Sequence, residues 1–189
     1  METNQYKKLE ALVRQLFASV TWSHKIQCKQ ADIYSDRYRF LKILAIITSA
    51  LTSTGIFTVI FADQLWIKII SALMSFIVTA INSFFKSFDL ISLKSKHLGT
   101  ANDLWDIRER LLILLIEVGV ADKEYQVLLE TYKEIEKEVY DIYAKAPSTT
   151  QKAVLLAKKA LNVDGDNTYS DEEIDMLLPA ILRERGQVI

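Results

Sequence analysis

The feature that most constrains this chain is a run of 43 residues, 43–85, that is almost free of charge. The 189-residue sequence holds 23 Lys and Arg and 24 Asp and Glu, but only Asp63 and Lys68 lie in this run. A uniform distribution would place about 11 charges there. This segregation predicts a membrane-embedded part joined to a solvated part, and it argues against a soluble enzyme of ordinary surface.

Two apolar segments fill the run. Residues 43–62 are 20 uncharged residues, and at 1.5 Å per residue a helix of that length crosses a hydrocarbon core of about 30 Å. Residues 69–85 are 17 uncharged residues, which become about 21 if residues 65–67 join them and Lys68 extends toward the headgroups. The connection is short, so we expect a tight antiparallel hairpin of two transmembrane helices. A buried helical hairpin in a soluble bundle is the alternative.

Basic residues predict which side of the membrane holds the chain ends, because cytoplasmic flanks carry the excess of Lys and Arg. The flanking residues are Lys25, Lys29, Arg37, Arg39 and Lys42 before the first span, and Lys86, Lys94 and Lys96 after the second. The first ten residues are polar and lack the apolar core of a cleavable signal. We therefore expect a two-span membrane protein with both termini in the cytoplasm.

Small and hydroxyl side chains form stripes along both predicted spans. The stripes consist of Thr48, Thr52 and Gly55 in the first span and Ser71, Ser75, Thr79 and Asn82 in the second. Such residues allow close helix packing and hydrogen bonds between helices, in a hairpin or in an oligomer. They are also suited to line a pore built from several hairpins, and the amide of Asn82 is the strongest functional candidate because full amides are rare in the apolar zone.

The predicted cytoplasmic part has helical periodicity on both sides of the hairpin. Residues 6–40 form an amphipathic segment, and no proline or glycine separates it from the first span. After the second span, apolar residues recur in a heptad pattern at Leu104, Ile107, Leu111, Leu114, Val118, Leu128, Tyr132, Ile135, Val139 and Ile142. Residues 119–123 interrupt this heptad pattern. The region is therefore consistent with one long helix that has a weak point there, or with two antiparallel helices. The stripe needs a partner, which is either the N-terminal helix or another subunit, and we expect it to mediate oligomerisation.

The C-terminal part reads as two short helices. Pro147 ends the preceding helix, and Ser148 or Thr149 is expected to cap a helix over residues 150–161. A last helix begins at Ser170, where Glu173 completes a capping box, and Pro179 limits it. The sequence thus predicts an all-α protein with four parts, which are residues 1–42, 43–85, 86–146 and 147–189.

The sequence holds few candidates for chemistry. Five glycines and the absence of a Gly-rich loop, a Ser/His/Asp order or an HExxH motif indicate a non-enzyme without a cofactor. His24 and Cys28 share a helix face, but two ligands do not make a metal site. A net charge of −1 argues against direct nucleic-acid binding.

The turn after residue 161 has partial similarity to a calcium loop. Its candidate ligands are Asn162, Asp164, Asp166 and Glu173. Asn occupies the first ligand position, and Asn167 stands where glycine is usual, so the loop departs from the motif at two key positions. A capped acidic turn is the favoured interpretation, and we predict no metal there.

Several short motifs occur in one order along the chain. They are WSHKIQ at 22–27, Lys96-His97, AN-x-LW-x-IRE at 101–109, AP-x-T at 146–149, KA-x-x-x-A at 152–157 and YSDEEID at 169–175, followed by Leu178-Pro179 and Leu182-Arg183. Together with the two-span hairpin, this arrangement resembles the SLATT family, the bacterial two-transmembrane effectors associated with SMODS nucleotidyltransferases and SLOG nucleotide sensors. The resemblance extends over almost the whole chain.

The resemblance implies an effector of a bacterial conflict or anti-phage system. A nucleotide signal, or an associated nucleotidyltransferase, SLOG protein or reverse transcriptase, would trigger it to oligomerise, form pores in the inner membrane and arrest growth of the infected cell. The family brings no catalytic residues. The alternative from the residues alone is a non-conducting membrane anchor or scaffold that tethers a cytoplasmic partner, with membrane lipid as its other contact.

Overall fold

The computed structural model describes residues 2–61 and 65–179, and side-chain surroundings for most of these. Within this part the chain is helical and contains no strand, which confirms the prediction of an all-α fold. The six helices are α1 (Glu2–Phe61), α2 (Leu65–Ser87), α3 (Leu90–Val120), α4 (Tyr125–Lys145), α5 (Gln151–Asn162) and α6 (Asp171–Leu177).

Helix α1 is a single uninterrupted helix of 60 residues, about 90 Å long. It confirms that the N-terminal amphipathic segment continues directly into the first apolar segment. Its partners are α2 and α3, which run antiparallel to it one after the other. Tyr38 of α1 lies 5.6 Å from Phe85 of α2 between ring centroids, and His24 of α1 contacts the Ala101 carbonyl of α3.

Helices α2 and α3 are separated by a two-residue break at Phe88 and Asp89. The break is capped, since Asp89 Oδ1 accepts a hydrogen bond of 2.9 Å from the backbone N–H of Ser92. The described residues contain one stretch that is long and apolar enough to cross a membrane, Lys68–Val120, which includes this break, and only 6% of its most apolar part is buried. Of the predicted connection, residues 62–65, the first three residues lie outside the described residues, and the crossing by residues 43–62 stays a prediction.

A three-helix core lies at the end of the molecule away from the last turn of α1 and the first turn of α2. Helix α3 ends where Ala121 adopts the left-handed conformation (φ 53°), and α4 then returns antiparallel to α3. The heptad-patterned region therefore forms two helices rather than one. Leu9, Val13 and Val20 of α1 complete the core between them.

The C-terminal helices largely follow the sequence pattern. Helix α4 ends just before Ala146-Pro147, and Ser170 caps α6 in a complete capping box with Glu173, as predicted. The predicted cap of α5 is wrong, because Thr150 rather than Ser148 or Thr149 accepts the capping hydrogen bond, from the Ala153 N–H. Helix α5 packs on α1 through three fully buried alanines, Ala153, Ala157 and Ala160.

Candidate functional site

The two apolar helices contact each other through one row of residues on each. On α2 the buried and half-buried row is Ser71, Met74, Val78, Ile81 and Phe85. On α1, Thr48 is buried and Thr52 is half-buried, and each hydroxyl donates to a carbonyl one turn earlier. The structure thus places Thr48, Thr52 and Ser71 at the hairpin contact. The surroundings of Gly55 lie outside the described residues.

The other three predicted polar residues of α2 lie on a different face. Ser75, Thr79 and Asn82 are exposed in the single chain, about a quarter turn away from the row that meets α1. Their polarity is therefore not needed for packing within the hairpin. Thr79 donates a 2.9 Å hydrogen bond to the Ser75 carbonyl, which satisfies its hydroxyl locally.

Helix α1 adds polar residues to the same side of the hairpin. Ser49 lines the same cavity as Asn82, and Ser53, one turn further along α1, is also exposed. Because the helices are antiparallel, Ser53 continues in the direction of Thr79 and Ser75. We call these five exposed residues, Ser49, Ser53, Ser75, Thr79 and Asn82, the polar face of the hairpin.

The ten heptad residues line the interior of the single chain, and their role in joining subunits stays a prediction. Nine of them are buried within one chain, and Ile142 is partly buried against the same core. Their partners are α1 and each other, so the structure realises the alternative in which the N-terminal helix covers the stripe. In this packing they have no free surface for a second subunit, and contact through them would require α1 to separate from α3.

A polar junction connects α1, α3 and the segment before α5. His97 is buried on α3, and its Nδ1 lies 2.5 Å from Oε1 of Gln27, itself buried on α1. Gln27 Nε2 in turn donates to the Pro147 carbonyl at 3.4 Å. Since the amide nitrogen is the donor in that contact, its oxygen accepts from His97, which fixes the proton on Nδ1.

Gln30 and Lys25 hold the C-terminal part against α1. The buried Oε1 of Gln30 accepts hydrogen bonds from Thr150 N (2.8 Å) and Thr150 Oγ1 (2.7 Å) at the start of α5. Lys25 Nζ pairs with Asp166 Oδ2 at 3.1 Å in the turn after α5. We call Lys25, Gln27 and Gln30 the α1 clamp. Gln30 was not singled out from the sequence.

Next to the clamp, an arginine stacks on aromatic rings. The Arg108 guanidinium carbon lies 4.6 Å from the Trp105 ring centroid and 5.3 Å from that of Phe17. His24 lies 5.2 Å from the Trp105 ring, and its Nδ1 donates to the Ala101 carbonyl at 2.9 Å. The short motifs at 22–27, 96–97, 101–109 and 146–149, far apart in sequence, therefore meet at one junction.

Burial keeps both histidines uncharged near neutral pH. Desolvation lowers the pKa of His97. Desolvation is also the main cause that lowers the pKa of His24, with the nearby Lys25 and Arg108 adding to it against the opposing effect of the Ala101 hydrogen bond. Cys28 Sγ lies 3.6 Å from His24 Nε2, and burial raises the pKa of its thiol, so the pair has the features of structural packing rather than of a reactive thiolate.

Two of the four candidate calcium ligands have other partners. Asp166 pairs with Lys25, and Glu173 Oε2 accepts the Ser170 N–H within the capping box. Gly165 and Asn167 both adopt positive φ, of 69°, which shapes the turn. Across residues 2–61 and 65–179, no three His, Cys, Asp or Glu side chains converge as metal ligands.

The fold and the site define the class: a helical protein with an apolar antiparallel helix pair and a compact helical body at its base. Comparison with family models matches residues 9–173 to SMODS and SLOG-associating 2TM effector domain family 4. The chain therefore belongs to this SLATT family, as the resemblance in its motifs indicated. Neither the curated proteins nor the solved structures include a match to it.

Membership defines the function at a coarse level. The family consists of two-transmembrane effector domains associated with conflict systems and with SMODS and SLOG nucleotide signalling. Its description points to a membrane location.

Proposed function

We propose that this protein is a non-catalytic effector of the bacterial inner membrane that oligomerises and forms a pore, so that ion gradients collapse and the cell stops growing. The observation that carries the proposal is the polar face of the hairpin. In a lone hairpin Ser75 and Thr79 would face lipid tails, which offer side chains no hydrogen bonds. Assembly of several hairpins around an axis would turn Ser75, Thr79 and Asn82 toward water and leave the apolar faces in lipid.

The proposed orientation has both chain ends in the cytoplasm. The α3–α4 core, the clamp and α5 then form a cytoplasmic body next to the inner leaflet. A nucleotide signal, or a nucleotidyltransferase, SLOG protein or reverse transcriptase that makes or senses it, would act on this body. The nucleotide association of the family supports such a trigger.

The proposed assembly needs a cytoplasmic surface other than the buried heptad residues. Helix α3 presents one in Ile113, Ile116 and Val120, which recur at three and four residues and are each more than half exposed. Exposed apolar stripes at this spacing are typical of helix–helix contacts between subunits. We propose that this stripe supports assembly while the heptad residues hold each subunit together.

The test separates a pore from a non-conducting anchor. Induced expression of the wild-type chain in bacterial cells should depolarise the membrane and admit a small dye. Ser75→Leu and Asn82→Leu should abolish both effects at equal protein level in the membrane fraction. Ala80→Leu is the matched control, because it adds a similar side chain to an exposed position on the opposite side of α2 and should remain active.

Two outcomes would contradict the proposal. If the Ser75→Leu and Asn82→Leu variants arrest growth as fully as the wild type, the polar face does not line an ion-conducting pore. If the wild-type chain reaches the membrane but never depolarises it, even together with its genomic neighbours, the chain is an anchor or scaffold.

A further inference from the structure

A cavity of about 570 Å³ lies at the base of the hairpin, where the apolar segments meet the cytoplasmic body. Its walls come from α1 between Tyr38 and Ser49, from the last turns of α2, and from the break that starts α3. Lys42 directly precedes the first apolar segment, and Phe85 ends the second. The cavity is therefore at the level that the proposed topology assigns to the cytoplasmic headgroups.

The walls combine an apolar side with a few polar groups. Aromatic contacts keep the apolar side in place, since Phe84 stacks on Phe88 at 4.8 Å and Phe85 packs edge-on against Tyr38 at 5.6 Å. A cavity of 300–1,000 Å³ with apolar walls and a few convergent polar groups is typical of small-ligand sites. Half-exposed Phe88 and Ile91 lie at its edge, where acyl chains would pass.

Two opposite charges line this cavity. Lys42 Nζ lies 5.5 Å from the Tyr38 ring centroid and 3.4 Å from its hydroxyl, which holds the ammonium group near the wall. Asp89 lies in the break between α2 and α3, where its side chain caps α3. Lys42 Nζ donates to the Tyr38 hydroxyl, whereas Asp89 Oδ1 accepts the Ser92 N–H, so the two charges have different partners. A ligand with one anionic and one cationic group would neutralise both.

We propose that this cavity binds the headgroup of a zwitterionic phospholipid of the phosphoethanolamine class. Lys42, with the Tyr38 hydroxyl, receives the phosphate, and Asp89 receives the ammonium group. The acyl chains leave along the apolar helices. This inference rests on the proposed membrane insertion, but it does not require that the hairpin conducts.

The experiment measures lipid bound to the purified full-length protein in detergent by native mass spectrometry. Phosphatidylethanolamine and phosphatidylglycerol with identical acyl chains are added separately. The wild type should bind the first more tightly than the second. Lys42→Gln should weaken both by about tenfold, because a charge-assisted contact to phosphate is lost. Asp89→Asn should remove only the preference, since asparagine keeps the helix cap.

Lys96→Gln is the matched control, because Lys96 is an exposed basic residue at the same membrane side that does not line the cavity. Its lipid binding should equal that of the wild type. The proposal is overturned if Lys96→Gln loses as much lipid as Lys42→Gln, or if free inorganic phosphate displaces the lipid, which would indicate a soluble anion site. The lipid proposal also fails if protein extracted from the membrane carries no bound lipid. Protein found outside the membrane fraction would instead refute the proposed membrane insertion on which the lipid site rests.

Discussion

Replacing Gln30 by methionine should release α5 from α1 without unfolding the rest of the protein. Gln30 is almost completely buried, and its side-chain oxygen accepts both the backbone N–H and the hydroxyl of Thr150. Methionine has a similar length and volume, so it removes the acceptor without leaving a large cavity. The substitution thus isolates the two hydrogen bonds of the clamp.

The size of the effect follows from those two bonds. A hydrogen bond contributes a net 0.5–1.5 kcal/mol, so the loss of both should lower the free energy of opening by about 1–3 kcal/mol. At 1.4 kcal/mol per factor of ten, local opening should become roughly 5 to 150 times more frequent. The Thr150 residue is partly exposed, which lets water reach the freed N–H and favours the lower half of this range.

Hydrogen exchange on the detergent-solubilised protein measures this opening residue by residue. Amides at the start of α5 should exchange faster in Gln30→Met, while those of the α3–α4 core should not change. Gln15→Met, at an exposed position of the same helix, is the control and should match the wild type. Unchanged exchange in α5, or an equal increase throughout the core, would refute the idea that Gln30 specifically holds this segment.

Three further predictions concern stability. Leu111→Ala should destabilise the cytoplasmic core by about 2–5 kcal/mol in denaturant titration, because Leu111 is fully buried and its removal leaves a cavity. Arg110→Met should lower the free energy of unfolding by less than about 1 kcal/mol, and by less still in high salt, because the Arg110–Glu138 ion pair is partly exposed to water. A larger loss would contradict the assignment of this pair as a weak surface ion pair. Stability should fall as pH drops below about 6.5, since burial lowers the pKa of His97 and the unfolded chain takes up the proton first; His97→Gln should reduce this slope, and an unchanged slope would exclude His97 as its source.

Local signals in the sequence were sufficient for the end of α4 and the start of α6. Pro147 lacks the N–H that a helix interior requires, and α4 ends two residues before it. The capping box at Ser170 and Glu173 forms as its spacing indicates. These features succeeded because each involves groups only a few residues apart. The cap of α5 is instead set by a contact between residues far apart in sequence. Gln30, 120 residues away, accepts hydrogen bonds from the hydroxyl and the N–H of Thr150.

The partner of an apolar stripe is not encoded in its period. The heptad pattern shows that one face of α3 and α4 is covered, but it is equally consistent with a second subunit and with α1. Similarly, the residues of the polar junction give no local signal, since Gln27 and His97 are 70 positions apart. The shared order of the short motifs was the only indication, because both residues lie within them.

The continuous α1 helix connects the cytoplasmic body to the polar face. Gln27 and Gln30 lie on the same helix as Ser49 and Ser53, with no glycine, proline or break between them. A regular helix without such a break is stiff, because bending it requires distortion of its backbone hydrogen bonds. A rotation of α1 at the clamp therefore turns Ser49 and Ser53 by a similar angle. In the proposed mechanism, a signal that alters the contact of α5 with α1 can therefore reorient the hairpin directly through α1, without a further moving element.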